Sequence, residues 1–455
     1  MPKPTLEKSK TSKRLGAPKP SSDSSAAFPV RILPEVCRPL GTAAAAAAMM
    51  AFAVPVSAEF DAEKYLVYDF GKVTLRPQLE VVETYDTNIR FSEVDPISDL
   101  VTTLRPSLLG VYGDRENNYF SLRYSLDGTF YAENDQLNDL GHTVLHRSRF
   151  RFSRLTIEGT DRFNLARSLL GGTFSYIDNR IGIMSLSDQW RADYDLSPKT
   201  VLGIKGLFDL ADYDASDLAQ ASPDPTRPVH LYDFQSFGGG ARFGYRPSEK
   251  ITVYPEITAG ISSLGRNNSL ALEAPDLGYY NFVFGAEGDF TPKLTGVISG
   301  GYEIRQYSDG TDVPDGWVAN LLLQWRPRAK TTVSLGYRHW IEVSREALGY
   351  IYNAHRPVLS LRQELGTQGR WTATLDGYYQ IDDYDRAVRD FGRDPSGPYV
   401  QREDHLAGVS LRMGFRWQPW CTVTGGYDFL MYEDNLTAVP NYEVHRFSLR
   451  LVAGY

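Results

Sequence analysis

The chain's charged residues recur with apolar residues between them. Arg76 and Glu80 lie in one short stretch, Arg105 in the next, Arg123 and Asp127 in a third, and Arg147, Arg149 and Arg151 in a fourth. Glu256, Glu287, Glu303, Arg338 and Glu342 continue the pattern, and Arg362, Glu364, Asp376, Arg412, Asp428, Arg446 and Arg450 carry it to the end. Groups of both signs on one face can do two things. They brace one another as ion pairs, or they present a charged surface to passing solutes, as charged rings do in pores. Nothing points to catalysis. The chain has no G-x-S-x-G, no H-E-x-x-H, no Walker A loop and no G-x-G-x-x-G. Its seven histidines are scattered, with His142, His146 and His405 read as surface or interfacial residues near strand ends. A lipid hydrolase on the outside of a barrel would need Ser, His and a polar orienter together, and the sequence alone assembles no such set. No enzyme activity, cofactor or metal site is expected.

Side chains that share a face at every second position belong to a β-strand. The clearest case is Tyr442 to Tyr455, where Phe447, Leu449, Leu451 and Tyr455 share one face and Arg446, Ser448 and Arg450 the other. Similar segments start near Val73, Val101 and Asn118 and continue through Leu294, Trp317, Thr331, Ile351, Trp371, Arg402 and Cys421. Two are poorly formed: in Leu155–Arg167 and Arg180–Leu196, Asp161 and Asp188 fall on the face that should be apolar, and a bulge would correct either register. Leu-Arg-Pro occurs at 75–77 and 104–106, and a proline inside a strand predicts a bulge or an edge.

The first 58 residues form a basic leader followed by the Ala-rich stretch LGTAAAAAAMMAFAVPVSA. A positive segment, a short apolar core and a small-x-small ending at Val56-Ser57-Ala58 predict a signal peptide cleaved after Ala58. The apolar part is shorter than the ~20 residues of a spanning helix. Residues 59–72 are then a short periplasmic segment, too short for a plug or a fused scaffold domain, and 73–455 the main domain. The formal charge of −8 moves near −13 once the leader, with eight basic and three acidic residues, is set aside, which excludes an obvious nucleic-acid binder. Of two cysteines, Cys37 lies in the leader and Cys421 is left alone, predicted to face lipid at the periplasmic rim.

These features predict an all-β transmembrane antiparallel up-and-down barrel of about 18 strands, with 16 also compatible. The connections agree. DREN, SPKT, PSEK, TPK and WQPW are compact, whereas 85–100, 168–179, 216–230 and 386–401 are long, and the two kinds alternate. Short periplasmic turns and long extracellular loops are the asymmetry of outer-membrane barrels. Trp317 and Trp325 share a face, and eight residues at ~3.3 Å rise, tilted ~40°, set them roughly 20 Å apart along the membrane normal, close to the spacing of two aromatic girdles. Trp371 and Trp417 are assigned to the same girdles. In lipid every backbone N–H and C=O must be paired within the protein, so the last strand must meet the first. The polar face then lines a lumen too wide for side chains to fill. Inward Tyr254, Trp340, Tyr378 and Tyr432 are candidate stacking platforms for sugar rings.

The stretch Glu83-Thr84-Tyr85-Asp86-Thr87-Asn88-Ile89, followed by Leu104-Arg105-Pro106-Ser107-Leu108, resembles the β-barrel porin-2 family of Gram-negative outer membranes. The C-terminal Phe447, Leu449, Leu451 and Tyr455 resemble the sorting signal read by the barrel-assembly machinery. The resemblance implies an outer-membrane location and a passive conduit for exported exopolysaccharide, working with periplasmic polysaccharide-export proteins, and no catalytic residues. A general diffusion porin and a structural or adhesive barrel acting through its outer loops are the alternatives.

Overall fold

The computed structural model describes residues 66–455 except 115–117, 169–179, 215–216, 218–231, 266–274, 312, 345–350, 390–398, 437–440 and 455. The leader and Tyr455 therefore lie outside the described residues.

A three-residue strand, β1 (Tyr68–Phe70), precedes the wall. The wall runs β2 (Val73–Asp86), β3 (Asp99–Gly113), β4 (Tyr119–Tyr131), β5 (Asp139–Arg151), β6 (Leu155–Ser168), β7 (Ile181–Ser197), β8 (Thr200–Tyr213), β9 (Phe234–Ser248) and β10 (Ile251–Leu264). It continues through β11 (Leu277–Thr291), β12 (Leu294–Tyr307), β13 (Gly316–Arg328), β14 (Thr331–Val343), β15 (Ile351–Leu365), β16 (Trp371–Arg389), β17 (Tyr399–Gln418), β18 (Cys421–Asp434) and β19 (Tyr442–Gly454). Each strand pairs antiparallel with its neighbour in sequence, and β19 pairs with β2 from Arg446↔Asp86 to Gly454↔Gln78. The result is a closed barrel of 18 strands. Closure removes every edge but one short one, where β1 folds back on the start of β2 through Gly71, whose φ of 67° suits a residue without Cβ.

The alternation read from the sequence sorts the faces. Leu104, Leu108, Leu122, Phe284, Leu411 and Phe447 stand exposed on the outside, where lipid covers them, and the charged positions turn in. The buried apolar groups gather instead at the long-loop end: Leu277, Tyr307, Ile341, Val343 and Ile351 form one cluster, and Ile89, Val101 and Leu137 another. The short turns occupy 152–154, 198–199, 249–250, 292–293, 329–330 and 419–420. Register shifts gather beside them, as between Asp195 and Ser197 or Arg416 and Gln418.

Three sequence expectations change. The prolines divide: Pro77 stands just past the last β2–β19 pair, at an unpaired edge, and Pro247 and Pro327 lie in register shifts beside short turns, but others cause neither bulge nor edge. Pro106, Pro255 and Pro357 each lie in a two-residue gap in one ladder, and the register on either side of the gap is the same. The missing N–H costs a bond, and the ladder resumes. Asp161 and Asp188 are not re-aimed by a bulge either: they pair directly in an unbroken β6–β7 ladder, so both face outward. Cys421 is on the outward parity but 1% exposed, hence covered rather than open to lipid.

Candidate functional site: the lumen wall and an outer polar row

Inward charges on the barrel form three kinds of arrangement. The first braces the seam. Glu80 accepts from Arg105 Nη1 at 2.9 Å and from Arg450 Nη2 at 2.5 Å, and Arg105 also holds Asp127. Arg446 Nε lies 2.7 Å from Asp86 Oδ2. Arg105, Arg446, Arg450, Glu80 and Asp127, read in the sequence as either bracing ion pairs or a selectivity surface, thus form ion pairs at the closing strands.

The second spans β7 to β11. Arg191 Nε meets Asp193 Oδ2 at 2.8 Å, and Arg242 Nη2 meets Glu287 Oε1 at 2.8 Å while lying 4.9 Å over the Tyr254 ring. Asp193, Gly203 and Arg242 are register partners on β7, β8 and β9, and a Cβ at Gly203 would run into both neighbouring side chains. Glycine in the middle strand is what lets the outer two approach. Lys205 reaches Glu256 in the same way, across Gly240. Near the long-loop end, Arg402 pairs with Asp404 at 2.7 Å and Asp434 at 3.1 Å, under the Tyr384 ring. These side chains are 5%, 5% and 0% exposed. The sequence reading missed Arg402, Asp404 and Asp434, although they obey the same alternation. Glu303 pairs with Arg305, Arg149 with Glu158, and Arg412 with Asp428 and Asp376.

The third arrangement is basic and unpaired. Arg76, Arg123 and Arg147, on β2, β4 and β5, make no ion pair with a described carboxylate, and neither does Arg162 on β6. Arg151 likewise has only its backbone N–H engaged, by Asn118. On β14 and β15, Arg338 and Arg356 are directly opposite one another, each over an aromatic ring: Trp340 at 4.7 Å and Tyr378 at 4.3 Å. Among the described residues Arg362 has no ion-pair partner there, and Glu342 has none on the same wall. By strand order, β5 and β14 are half a circuit apart, so the two arginine strips face each other across the lumen. The rings expected to stack on sugars are covered: Tyr254 and Tyr432 are buried, and guanidinium groups lie over Trp340 and Tyr378.

The outside carries two polar features that the sequence reading did not resolve. Four Tyr–His pairs repeat one diagonal geometry toward the long-loop end: Tyr124–His142 at 2.8 Å, Tyr337–His355 at 3.0 Å, Tyr379–His405 at 2.8 Å and Tyr427–His445 at 2.9 Å. Trp317, Trp325, Trp371 and Trp417 are exposed on the same outer surface, with Trp317 stacked on His339, 3.7 Å between centroids. Phe447 and Leu449 are exposed beside the seam, and Leu451 is half-buried.

The second feature is a row on β5, β6 and β7. His146, Asp161 and Asp188 are successive register partners. His146 is not near a strand end but close to mid-strand, as are the two acids. Its Nδ1 bonds Asp161 Oδ2, and Trp190 Nε1 donates to Asp161 Oδ1 at 2.8 Å. Ser148 shares the face with His146, so Ser, His and a carboxylate do stand on one outer wall, contrary to the sequence reading. Ser148 Oγ and His146 Nε2 are both buried and without a partner. An ionised aspartate at the bilayer centre costs roughly 2.5–3.5 kcal/mol, which makes this a costly place for lipid to lie.

Outside the membrane, in the β12–β13 connection, the Thr311 backbone N–H and hydroxyl hold the Asp309 carboxyl below the ordinary carboxylate range. Among the described residues no group of three or more His, Cys, Asp or Glu is arranged to hold a metal ion.

Known proteins were compared with this chain and its fold. None of the curated proteins matches the chain. Solved structures similar to it include the Pseudomonas aeruginosa outer membrane protein OpdK, with TM-score 0.42, 11% identity, and coverage of 84% of this chain and 99% of that one. OccK3 (OpdO) from P. aeruginosa gives TM-score 0.42 and 14% identity over 87% of this chain and 98% of that one. The P. aeruginosa siderophore receptor PirA gives 0.43 and 8% over 84% and 80%. The family model described as Putative beta-barrel porin 2 matches residues 68–394. With an 18-strand closed wall, an apolar outside and a charged inside, the chain belongs to that family of porin-like barrels of the Gram-negative outer membrane.

Proposed function

We propose that the chain is a passive, anion-preferring pore. The observation that carries this reading is the pair of facing arginine strips, β2–β6 and β14–β15, that lack carboxylate partners while most other inward charges are paired. Among the described residues Glu342 and Glu364 stand without an ion-pair partner on β14 and β15 as well, but arginine is in excess in both strips, and a low-dielectric wall with a net excess of one sign concentrates counter-ions along it. Arg338 opposite Arg356 is a repulsive pair that a passing anion would relieve. An acidic exopolysaccharide on its way out is one cargo with this chemistry, and periplasmic export proteins would hand it over. The burial of Tyr254 and Tyr432, and the guanidinium groups over Trp340 and Tyr378, favour small anions instead, because a sugar would have to displace them to stack on these four rings.

The test is single-channel recording in planar bilayers under a salt gradient. Wild-type protein gives a reversal potential on the anion side, and Arg147→Ala combined with Arg338→Ala moves it toward zero or past it. An acidic oligosaccharide, but not its neutral counterpart, then shortens the openings if polysaccharide is the cargo. A flat current in every preparation, or cation preference in the wild type, overturns the reading.

A further inference from the structure

We propose that a row of apolar residues on the lumen wall, from Leu322 to Leu430, carries the body of an amphiphilic organic anion whose carboxylate rests on Arg338 and Arg356.

The row follows from the register. Leu322 on β13, Gly336 on β14, Val358 on β15, Tyr378 on β16, Gly408 on β17 and Leu430 on β18 are successive partners. All six share the inward parity of Arg338, Arg356 and Asp428, and none carries a charge. Rows of partners run across the strands, and strands of such barrels tilt by ~40°, so this row is a ramp. Leu322 stands near the middle of β13 and Leu430 nearer the long-loop end of β18. Two glycines keep the ramp low. Gly336 leaves bare backbone between Leu322 and Val358, and Gly408 leaves room for the Tyr378 ring, which a Cβ there would strike.

The aliphatic members are open to the lumen: Leu322 is 53% exposed and Val358 37%. On the outer face such exposure meets lipid, but inside the barrel it meets water. A solute with an apolar side gains by covering it. Two strand steps separate Leu322 from Val358, about 10 Å at ~4.8 Å per strand, so one medium-length alkyl chain touches both.

The solute's charge is set by what borders the ramp. Two residues along β14 and β15, toward the long loops, Arg338 and Arg356 stand opposite one another with no carboxylate partner among the described residues. On the other border Ser334 and Ser360 are opposite one another, and both are neutral. A solute lying on Leu322 and Val358 therefore has a pair of cations beside it on one side. A sugar is the weaker fit. The exposed members are aliphatic, and Tyr378 has the Arg356 guanidinium 4.3 Å over its ring. A carboxylate on an apolar body suits both the row and its border. This assignment rests on the reading of the lumen as an anion-preferring pore and narrows its cargo.

The experiment is block of the potassium chloride current in planar bilayers by acetate, butyrate, hexanoate and octanoate, with hexanol as the uncharged body. In wild-type protein the half-blocking concentration should fall along the series, by roughly tenfold or more from acetate to octanoate, and hexanol should block less than hexanoate. Leu322→Ala combined with Val358→Ala should flatten the dependence on chain length. Leu335→Ala combined with Leu359→Ala, the matching truncation on the outer faces of β14 and β15, should keep it. Heat-modifiable gel mobility checks that both variants fold. An anion-selective wild type blocked equally along the series overturns the proposal and leaves the anion-preferring pore standing, with no variant needed. A chain-length dependence that survives the inner pair, or that the outer pair abolishes equally, also overturns it, as does hexanol matching hexanoate. Cation preference in the wild type overturns the pore reading and this proposal with it.

Discussion

At the scale of single residues, position relative to water decides what an ion pair is worth. Arg402 and its two carboxylates are nearly inaccessible, whereas Arg412 is 45% exposed and its partners are within reach of the lumen. Removing one member of a buried group strands the others, at about 3–5 kcal/mol, and an exposed pair is worth about 0–1 kcal/mol. Arg402→Met should therefore lower folding stability by about 3 kcal/mol or more, and Arg412→Met by at most about 1, read from urea titrations of the folded gel band in detergent. The contrast also shows where the sequence was legible. Arg76, Arg105 and Arg123 stood out because apolar residues flank them inside the hydrocarbon band. Around Arg402 the outward neighbours Gln401, Glu403 and His405 are polar too, since β17 runs on past the lipid, so alternation there no longer separates the faces.

At the scale of the strand, fit between neighbours takes over from charge. Gly301 on β12 is so close to the Phe282 carbonyl on β11 that a Cβ would collide with backbone, whereas Gly206 on β8 faces open space. Forcing a methyl into the first site costs about 1–3 kcal/mol. Gly301→Ala should shift the unfolding midpoint down accordingly and Gly206→Ala should leave it unchanged, in the same titration. Neither distinction is visible in the one-dimensional string, because both residues are glycines in strands of similar pattern. Strand existence was legible almost throughout, including the doubtful pair β6 and β7. What the pattern lacked was a way to tell a displaced register from a polar residue that faces lipid, and at Asp161 and Asp188 the second holds. Pro106, Pro255 and Pro357 misled for a related reason: the cost of each is one ladder bond, and a long ladder absorbs it without changing step.

At the scale of the whole molecule, closure follows from backbone chemistry, and so it was legible in the amino-acid string alone: an unpaired strand edge is not viable in hydrocarbon. Which charges sit beside which could not be read, since it depends on register summed around the full circuit. Arg446 and Asp86 are 360 residues apart in sequence and 2.7 Å apart in space. That contact, with Arg450 on Glu80, shows which of the inward charges brace the ends, and the arginines left over are the better guide to transport.

At the seam no peptide links the two paired strands, and β1 covers the start of β2 that β19 does not reach. Because β2 begins and β19 finishes at the same rim, a short Gly-Ser bridge from Gly454 to Val73 could replace that missing link, and the polypeptide could be opened instead at any outer loop, such as 265–276. Such a circular permutant should still reach the heat-modifiable state from urea into detergent, since it loses only the short β1 pairing and every ladder of the 18-strand wall survives. In cells it would no longer present Phe447, Leu449 and Leu451 as its final residues, and its surface yield would report whether export machinery reads those residues or only needs a free end.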